Sequence, residues 1–195
     1  GIKLPEKILA HGWWTIDGEK ISKTTGNVIN VPELVSIAGP DSARYFLFRE
    51  TPFGSDGDFS REKLVQRHND ELANKLGNLV SRVSALAEKY GIQKTENNLL
   101  KKFKTKEVEK HFESLEFDRT LNEIFAFVDV CNFYVQEKKP WETHDKKVLY
   151  ELVEAIRKIN FYISPFMPET SAKIQGIFKT NKIKKAEPLF GKIIT

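Results

Sequence analysis

Beyond Ser60, apolar residues return every three or four positions, and this periodicity restricts the fold more than any other feature of the chain. Leu64, Leu72, Leu76, Leu79, Val83, Leu86 and Ala87 share a helical stripe. Ser60 suits an N-cap, because its hydroxyl can accept from a free amide of the first turn. Gly91 suits the C-terminal end, where a left-handed residue closes many helices. A helix over residues 60–91 would be about 45 Å long at 1.5 Å per residue. Gly77 lies inside it, at a cost of about 1 kcal/mol relative to alanine. A second helical pattern covers residues 105–114. A third starts near Asp118, carries Leu121, Ile124, Phe125, Val128, Cys131 and Val135, and closes at Pro140. A fourth starts near Asp145, carries Val148, Leu152, Ile156 and Ile159, and stops before Pro165. "MPETSAKIQGIF" adds a short last helix with Pro168 in its first turn. Together these predict an antiparallel helix bundle.

The first sixty residues are mixed. "ILAHGWWTI" clusters β-branched and aromatic residues, as a strand would. "VPELVSIAG" reads as a helix with Pro32 at its start and Gly39 at its stop, and "PDSARYFLFRE" as a second short helix with Asp41 near its start. "TPFGSDGDFS" has loop composition. The chain therefore divides there, into a small α/β segment (1–59) and a helical bundle (60–195). The expected fold class is mainly α. There is no internal repeat and no low-complexity segment.

Of the 195 residues, 40% are hydrophobic, enough to build a core. The formal charge is +4, and it is unevenly placed. From Lys173 onward six lysines (173, 179, 182, 184, 185, 192) face one acid, Glu187, a local net of +5. A further lysine run lies within residues 101–110. Such surface attracts polyanions or serves solubility. A single cysteine, Cys131, excludes an intrachain disulfide and a Cys-rich zinc site, and its apolar neighbours make it a core residue. No apolar run approaches a membrane span, and no secretory signal is visible. The chain opens on Gly1 and its one methionine is Met167, so further sequence upstream is expected.

Three groups of residues could carry chemistry. "GEKISKTTGN" places Lys20 and Lys23 three apart between Gly18 and Gly26, with Ser22, Thr24 and Thr25 as hydroxyl donors. It reads either as a basic surface turn or as a loop that holds a phosphate, for which a compact lysine charge is suited. It is not a Walker A loop, since G-x-x-x-x-G-K-[ST] is absent. Asn78 and Arg82 are one turn apart on one helix face, and Asn74 lies a turn earlier. That row flanks the leucine stripe, and reads either as a solvated polar face or as donors for unpaired bases. Trp141, after Lys138, Lys139 and Pro140, either packs on the bundle or offers a flat face to a base. His11, His68, His111 and His144 have no metal spacing and read as surface or local structure. Asp56 and Asp58 could hold a cation, but turn and cap chemistry explains them more simply. Trp13 and Trp14 read as packing residues beside the lysine loop.

"HGWWTIDGEKISKTTGNVI" resembles the second signature of the class I aminoacyl-tRNA synthetases, the KMSKS loop, standing here as Lys20-Ile21-Ser22-Lys23-Thr24. Within that class the methionyl-tRNA synthetases are most similar, because "AHGWWTIDGEKISK", "ARYFLFRE", "PFGSDGDFS", "LANKLGNLVSR" and "KKPWE" follow in that family's order along the whole chain. Ile21 and Thr24 replace the usual Met and Ser conservatively. The resemblance implies that Lys20, Ser22, Lys23 and Thr24 bind ATP, held with Mg2+ in the intact enzyme, with Lys20 and Lys23 catalytic and Lys23 dominant. It implies that Asn78, Arg82 and Trp141, with Asn74 beside them, read the CAU anticodon of tRNA(Met). It also implies a cytoplasmic ligase acting on methionine and ATP, with neither membrane nor DNA as partner, and no ATP or metal held by this chain alone. The family's H-x-G-H signature, methionine pocket and metal-binding insertion do not occur in these residues, so this chain by itself is not expected to form methionyl-adenylate. Leucyl, isoleucyl and valyl siblings share the loop and a bundle, but the implied Asn78/Arg82/Trp141 set argues against them. A stand-alone tRNA-binding subunit is a rival of another kind.

Overall fold

The structure, a computed structural model, describes residues 3–5, 8–16, 18–21, 28 and 30–194, and for Lys20 the backbone alone. The expected long helix runs as one rod made of α3 (Arg61–Arg67), a π-helical stretch (His68–Gly77) and α4 (Asn78–Tyr90), with right-handed helical dihedrals at both joins. Ser60 Oγ accepts from Lys63 N (3.1 Å), and Gly91, at φ 77°, donates to the Ala87 carbonyl (2.9 Å), so both caps act as the sequence predicts. The π-helical stretch was not expected. Gly77 ends it. A Cβ there would stand 3.1 Å from the Leu72 carbonyl and 3.4 Å from the Phe190 ring, so glycine admits both the widened turn and Phe190.

The bundle continues with a 3-10 turn (Leu100–Lys102), α5 (Thr105–Glu113), α6 (Phe117–Lys138), α7 (Pro140–Thr143), α8 (Lys146–Ile163) and α9 (Pro168–Phe178). The Asp145 carboxylate caps α8, accepting from Lys147 N (2.8 Å) and Val148 N (3.3 Å). Leu72, Leu76, Leu79 and Val83 are fully buried against Leu121, Ile124, Val128, Leu152, Ile156 and Ile159. Cys131 is buried among them, and burial pushes its thiol up to about 12. Glu151 of α8 is buried and satisfied: its carboxylate accepts from Asn98 N (2.8 Å), Leu99 N (3.4 Å) and Tyr134 Oη (2.5 Å), which pins the segment before the 3-10 turn.

The small segment holds α1 (Val31–Ala38), capped by Asn30 Oδ1, and α2 (Pro40–Glu50), which pack on a three-stranded sheet. In the sheet β1 (Trp14–Ile16) is central, antiparallel to β2 (Glu19–Lys20) and parallel to β3 (Gly57–Phe59), in the register Trp14 to Gly57 and Thr15 to Asp58. Two sequence expectations are corrected. The strand expected over "ILAHGWWTI" forms only at its end, and β3 occupies a stretch expected to be loop. Gly57 explains the second: a Cβ there would sit 2.8 Å from Thr51 Oγ1 and 3.1 Å from the Trp14 ring. The close approach demands glycine, and the glycine hid the strand. Leu34, Ala43, Phe46, Phe59 and Leu64 form a small core of their own, while Tyr45 of α2 joins the large one, so packing runs across position 60.

After α9 the chain turns back along the rod as an extended strap. Ala186 N donates to Ser84 Oγ (2.9 Å), and Phe190 lies beside Gly77. Asn69 brackets Ile193 through two 2.9 Å bonds, accepting from its amide and donating to its carbonyl. His68 is buried, which corrects the surface half of its reading and leaves it a structural residue: its Nε2 lies 2.7 Å from the Gly191 carbonyl and its Nδ1 2.9 Å from Ser42 Oγ, both within hydrogen-bond distance.

Candidate functional site

The lysine loop grows from the β1–β2 hairpin, whose turn contains Gly18 at φ 78°. Lys20 has its backbone in β2, and Ile21 is exposed. Ser22, Lys23 and Thr24 lie outside the described residues, as do Thr25 and Gly26. The base of the hairpin is held by two carboxylates. Asp58 accepts from Thr15 Oγ1 (2.7 Å), Gly18 N (2.8 Å) and Lys63 Nζ (3.1 Å), and Asp56 accepts from Trp13 N (2.7 Å). These bonds account for both acids without a cation, and no group of three His, Cys, Asp or Glu side chains able to hold a metal occurs among the described residues. Trp14 packs on the small core, its ring 6.2 Å from that of Phe46. Trp13 does not pack as expected: it is 81% exposed, on the opposite side of the strand, and borders an open groove with His11, Ile21 and Asp56.

The bonds from Thr15, Gly18 and Lys63 favour the charged form of Asp58 and bring its carboxyl down to about 2. The folded value lies below the unfolded value of about 3.9. The contribution of Asp58 is therefore complete above that unfolded value and is lost as pH falls toward about 2. A carboxyl-carbon NMR titration should give Asp58 a midpoint near pH 2, and Asp58→Asn should flatten stability against pH over this window. A midpoint near 4 would remove the three bonds from the account.

In the bundle, Asn74 and Asn78 are exposed along one edge of the rod, and Arg82 follows one turn later. Arg82 crosses toward α6 and α7. Its Nη2 donates to Gln136 Oε1 (3.2 Å), and its guanidinium carbon stands 5.4 Å from the centre of the Trp141 ring. Trp141 is half-buried against the large core. It sits in α7, four residues bracketed by left-handed residues, Lys139 (φ 43°) and His144 (φ 53°). The chain thus makes a sharp step between α6 and α8 and turns the indole toward α4. Lys138 and Lys139 lie beside it, in exposed pairs with Glu137 (3.0 Å) and Glu142 (3.6 Å). Arg82 and Trp141 are brought together in the bundle, one helical turn from Asn78, whereas the Lys20 backbone lies in the small sheet.

Sequence reasoning missed Gln136 and, further along α4, the pairing of Tyr90 with His144. Gln136 orients Arg82 from another helix, and no local pattern marks it. His144 stacks on Tyr90 with ring centres 4.2 Å apart and planes at 24°, and Lys89 Nζ lies 5.0 Å from the Tyr90 ring. The arrangement is a flat aromatic and guanidinium surface next to exposed amides. Such a surface can stack unpaired bases and hydrogen-bond their edges. No helix among the described residues is long and apolar enough to cross a membrane.

Residues 1–84 match the family model described as tRNA synthetases class I (M), and residues 98–190 match the one described as anticodon-binding domain of tRNA ligase. The chain is similar to the methionine–tRNA ligase of Fusobacterium nucleatum, at 40% identity over 90% of this chain and 31% of that protein. It is similar also to that of Caldanaerobacter subterraneus, at 41% identity over 89% of this chain and 30% of that protein. Its fold superposes on Mycobacterium tuberculosis methionyl-tRNA synthetase bound by methionyl-adenylate with a TM-score of 0.87, at 28% identity over 97% of this chain and 45% of that one. The chain spans about a third of the length of the curated relatives it matches.

Proposed function

Because the chain belongs to the class I tRNA synthetases, in their methionyl branch, we propose that it is the part of a methionine–tRNA ligase that reads the CAU anticodon of tRNA(Met) and carries the KMSKS-like loop. In this reading residues 60–195 form the anticodon-binding domain. Residues 1–59 join it to the rest of the catalytic site, where ATP with Mg2+ and methionine would meet. One observation carries the anticodon assignment: the guanidinium of Arg82 lies over the Trp141 ring at 5.4 Å, a turn from exposed Asn78. Trp141 supplies a stacking plane. Arg82, itself planar, stands over the indole and offers donors to acceptor edges of a base. Asn78 pairs a donor with an acceptor, as reading a base edge requires. Lys138 and Lys139 supply charge for the adjoining phosphates.

The loop assignment rests on residue types. Lys20 and Lys23 would neutralise ATP phosphates while the methionine carboxylate attacks the α-phosphate, with Ser22 and Thr24 as hydroxyl donors. The bond formed joins carboxylate oxygen to α-phosphorus, and the bond broken releases pyrophosphate. No protein nucleophile takes part, so positioning and charge do the catalysis.

The direct test is binding of this chain to tRNA bearing CAU and to the same tRNA with a changed anticodon. Trp141→Ala should weaken the cognate complex by about 1–3 kcal/mol, the worth of one stacked base, and should narrow the gap between the two RNAs. Equal affinity of the unaltered chain for both RNAs would sink the assignment.

A further inference from the structure

We propose that the C-terminal strap is a second RNA-contacting element: Lys182, Lys184 and Lys185, with Lys173 of α9 beside them, grip the phosphate backbone of the RNA whose bases meet Asn78, Arg82 and Trp141. This rests on the anticodon reading above but assigns a different surface and a different kind of contact.

The strap is extended yet firmly held. Arg157 of α8 fixes its beginning, donating to the carbonyls of Phe178 (2.8 Å) and Thr180 (3.2 Å) and to Asn181 Oδ1 (3.3 Å). Ser84 holds its middle, and His68 and Asn69 its end. Ile183 and Ala186 are buried as anchors, and every lysine between α9 and Glu187 is exposed. The alternation therefore turns the apolar residues inward and displays the charges from a fixed backbone. Lys173, Lys182, Lys184 and Lys185 border one concavity, which holds a single acid, Glu187. Of the four, Lys184 has an ion pair, to Glu88 at 3.3 Å, and it is 85% exposed, so that pair is weak and exchangeable.

Placement selects RNA over other polyanions. At 100° per residue, Glu88, the partner of Lys184, lies about 80° around α4 and about 15 Å along it from Asn78, and about 120° around and about 9 Å along from Arg82. The sector between them carries Ser81 and Ala85, whose short side chains let a polymer lie close. A strand crossing this outer face of α4 would have its bases against Asn78, Arg82 and Trp141 and its phosphates against the strap. Backbone contacts of this type position the nucleic acid, and base contacts specify it.

The two roles separate in one experiment. The 195-residue chain and its variant Lys182→Gln/Lys184→Gln/Lys185→Gln are titrated with CAU-bearing tRNA and with the anticodon-changed tRNA over a range of salt. The slope of log affinity against log salt should become shallower by about 0.7–0.9 per lysine removed. Affinity for both RNAs should fall by the same factor, leaving their ratio unaltered. Replacing the same three lysines by arginine should retain the original slope. An unchanged slope in the glutamine variant overturns the proposal. So does an unchanged slope accompanied by lost binding to phosphatidylserine vesicles, which would assign the strap to a membrane surface. Equal affinity of the unaltered chain for the two RNAs would remove the anticodon reading while leaving the slope readable, so the two failures are distinct.

Discussion

Phe166→Ala should lower the free energy of unfolding by about 3–5 kcal/mol, the range for truncating a buried phenylalanine. Phe166 is 2% exposed in the short link between α8 and α9. Its ring meets those of Phe48 (5.4 Å), Phe117 (5.9 Å) and Phe112 (6.1 Å), all edge to face, so it joins α2, α5 and α6 at one point. The backbone there is tied as well. Arg44 donates to the carbonyls of Phe166 (3.0 Å) and Pro165 (2.8 Å) while lying over the Phe48 ring. These bonds hold the backbone in place, so the site cannot collapse into the space left by the ring, and the loss belongs in the upper part of the range. Urea unfolding followed by circular dichroism measures it. Phe161→Ala is the comparison, because Phe161 is 69% exposed and its truncation should change stability by about 0.5 kcal/mol or less. A loss below about 1 kcal/mol at position 166 would mean that the aromatic cluster does not join α2 to the bundle.

The rod and α8 were legible because each had two independent signals, an apolar stripe and a cap. Ser60, Gly91 and Asp145 cap where their side-chain chemistry or conformational freedom says they should. The sheet had no such redundancy. β3 is three residues long and begins with a glycine that a tryptophan ring requires, so composition pointed to a loop. Trp13 and Trp14 are adjacent in sequence and face opposite ways; strand geometry demands that they differ, and nothing local says which one is inward.

The candidate site divides in the same manner. The row of exposed Asn74 and Asn78 and half-buried Arg82 follows from helical spacing alone. The contact between Arg82 and Trp141 does not. It depends on two left-handed residues, Lys139 and His144, neither of them a glycine, and on Gln136 reaching from α6. His68 was hidden for a related reason: its partners, Ser42 and Gly191, come from distant parts of the chain, and single-sequence periodicity carries no information about them.

In the full-length enzyme, Lys23→Ala is expected to slow methionine-dependent ATP–pyrophosphate exchange by about 10²–10³-fold, the usual loss on removing one preorganised donor to a developing oxyanion. The attacking carboxylate and the departing pyrophosphate are both anionic, so the transition state needs positive charge at the phosphates before the reaction begins. Lysine meets that need as a compact ammonium on a flexible stem. On the proposed reading Lys20, three residues earlier, would serve the same phosphates, so the two losses should not add: a double alanine variant should be little slower than Lys23→Ala. Asp58 gives a separate handle on the same site. It ties Thr15 and Gly18 at the base of the hairpin that leads into the loop, so Asp58→Asn should slow exchange less than Lys23→Ala, by loosening the base and leaving the charge. Neither change touches the surface formed by Asn78, Arg82 and Trp141, and tRNA affinity should be unaltered in both. Normal exchange in Lys23→Ala would refute the phosphate role. An equal fall in exchange and in tRNA affinity would instead mean that the substitution unfolds the small sheet, and circular dichroism of the variant would register that directly.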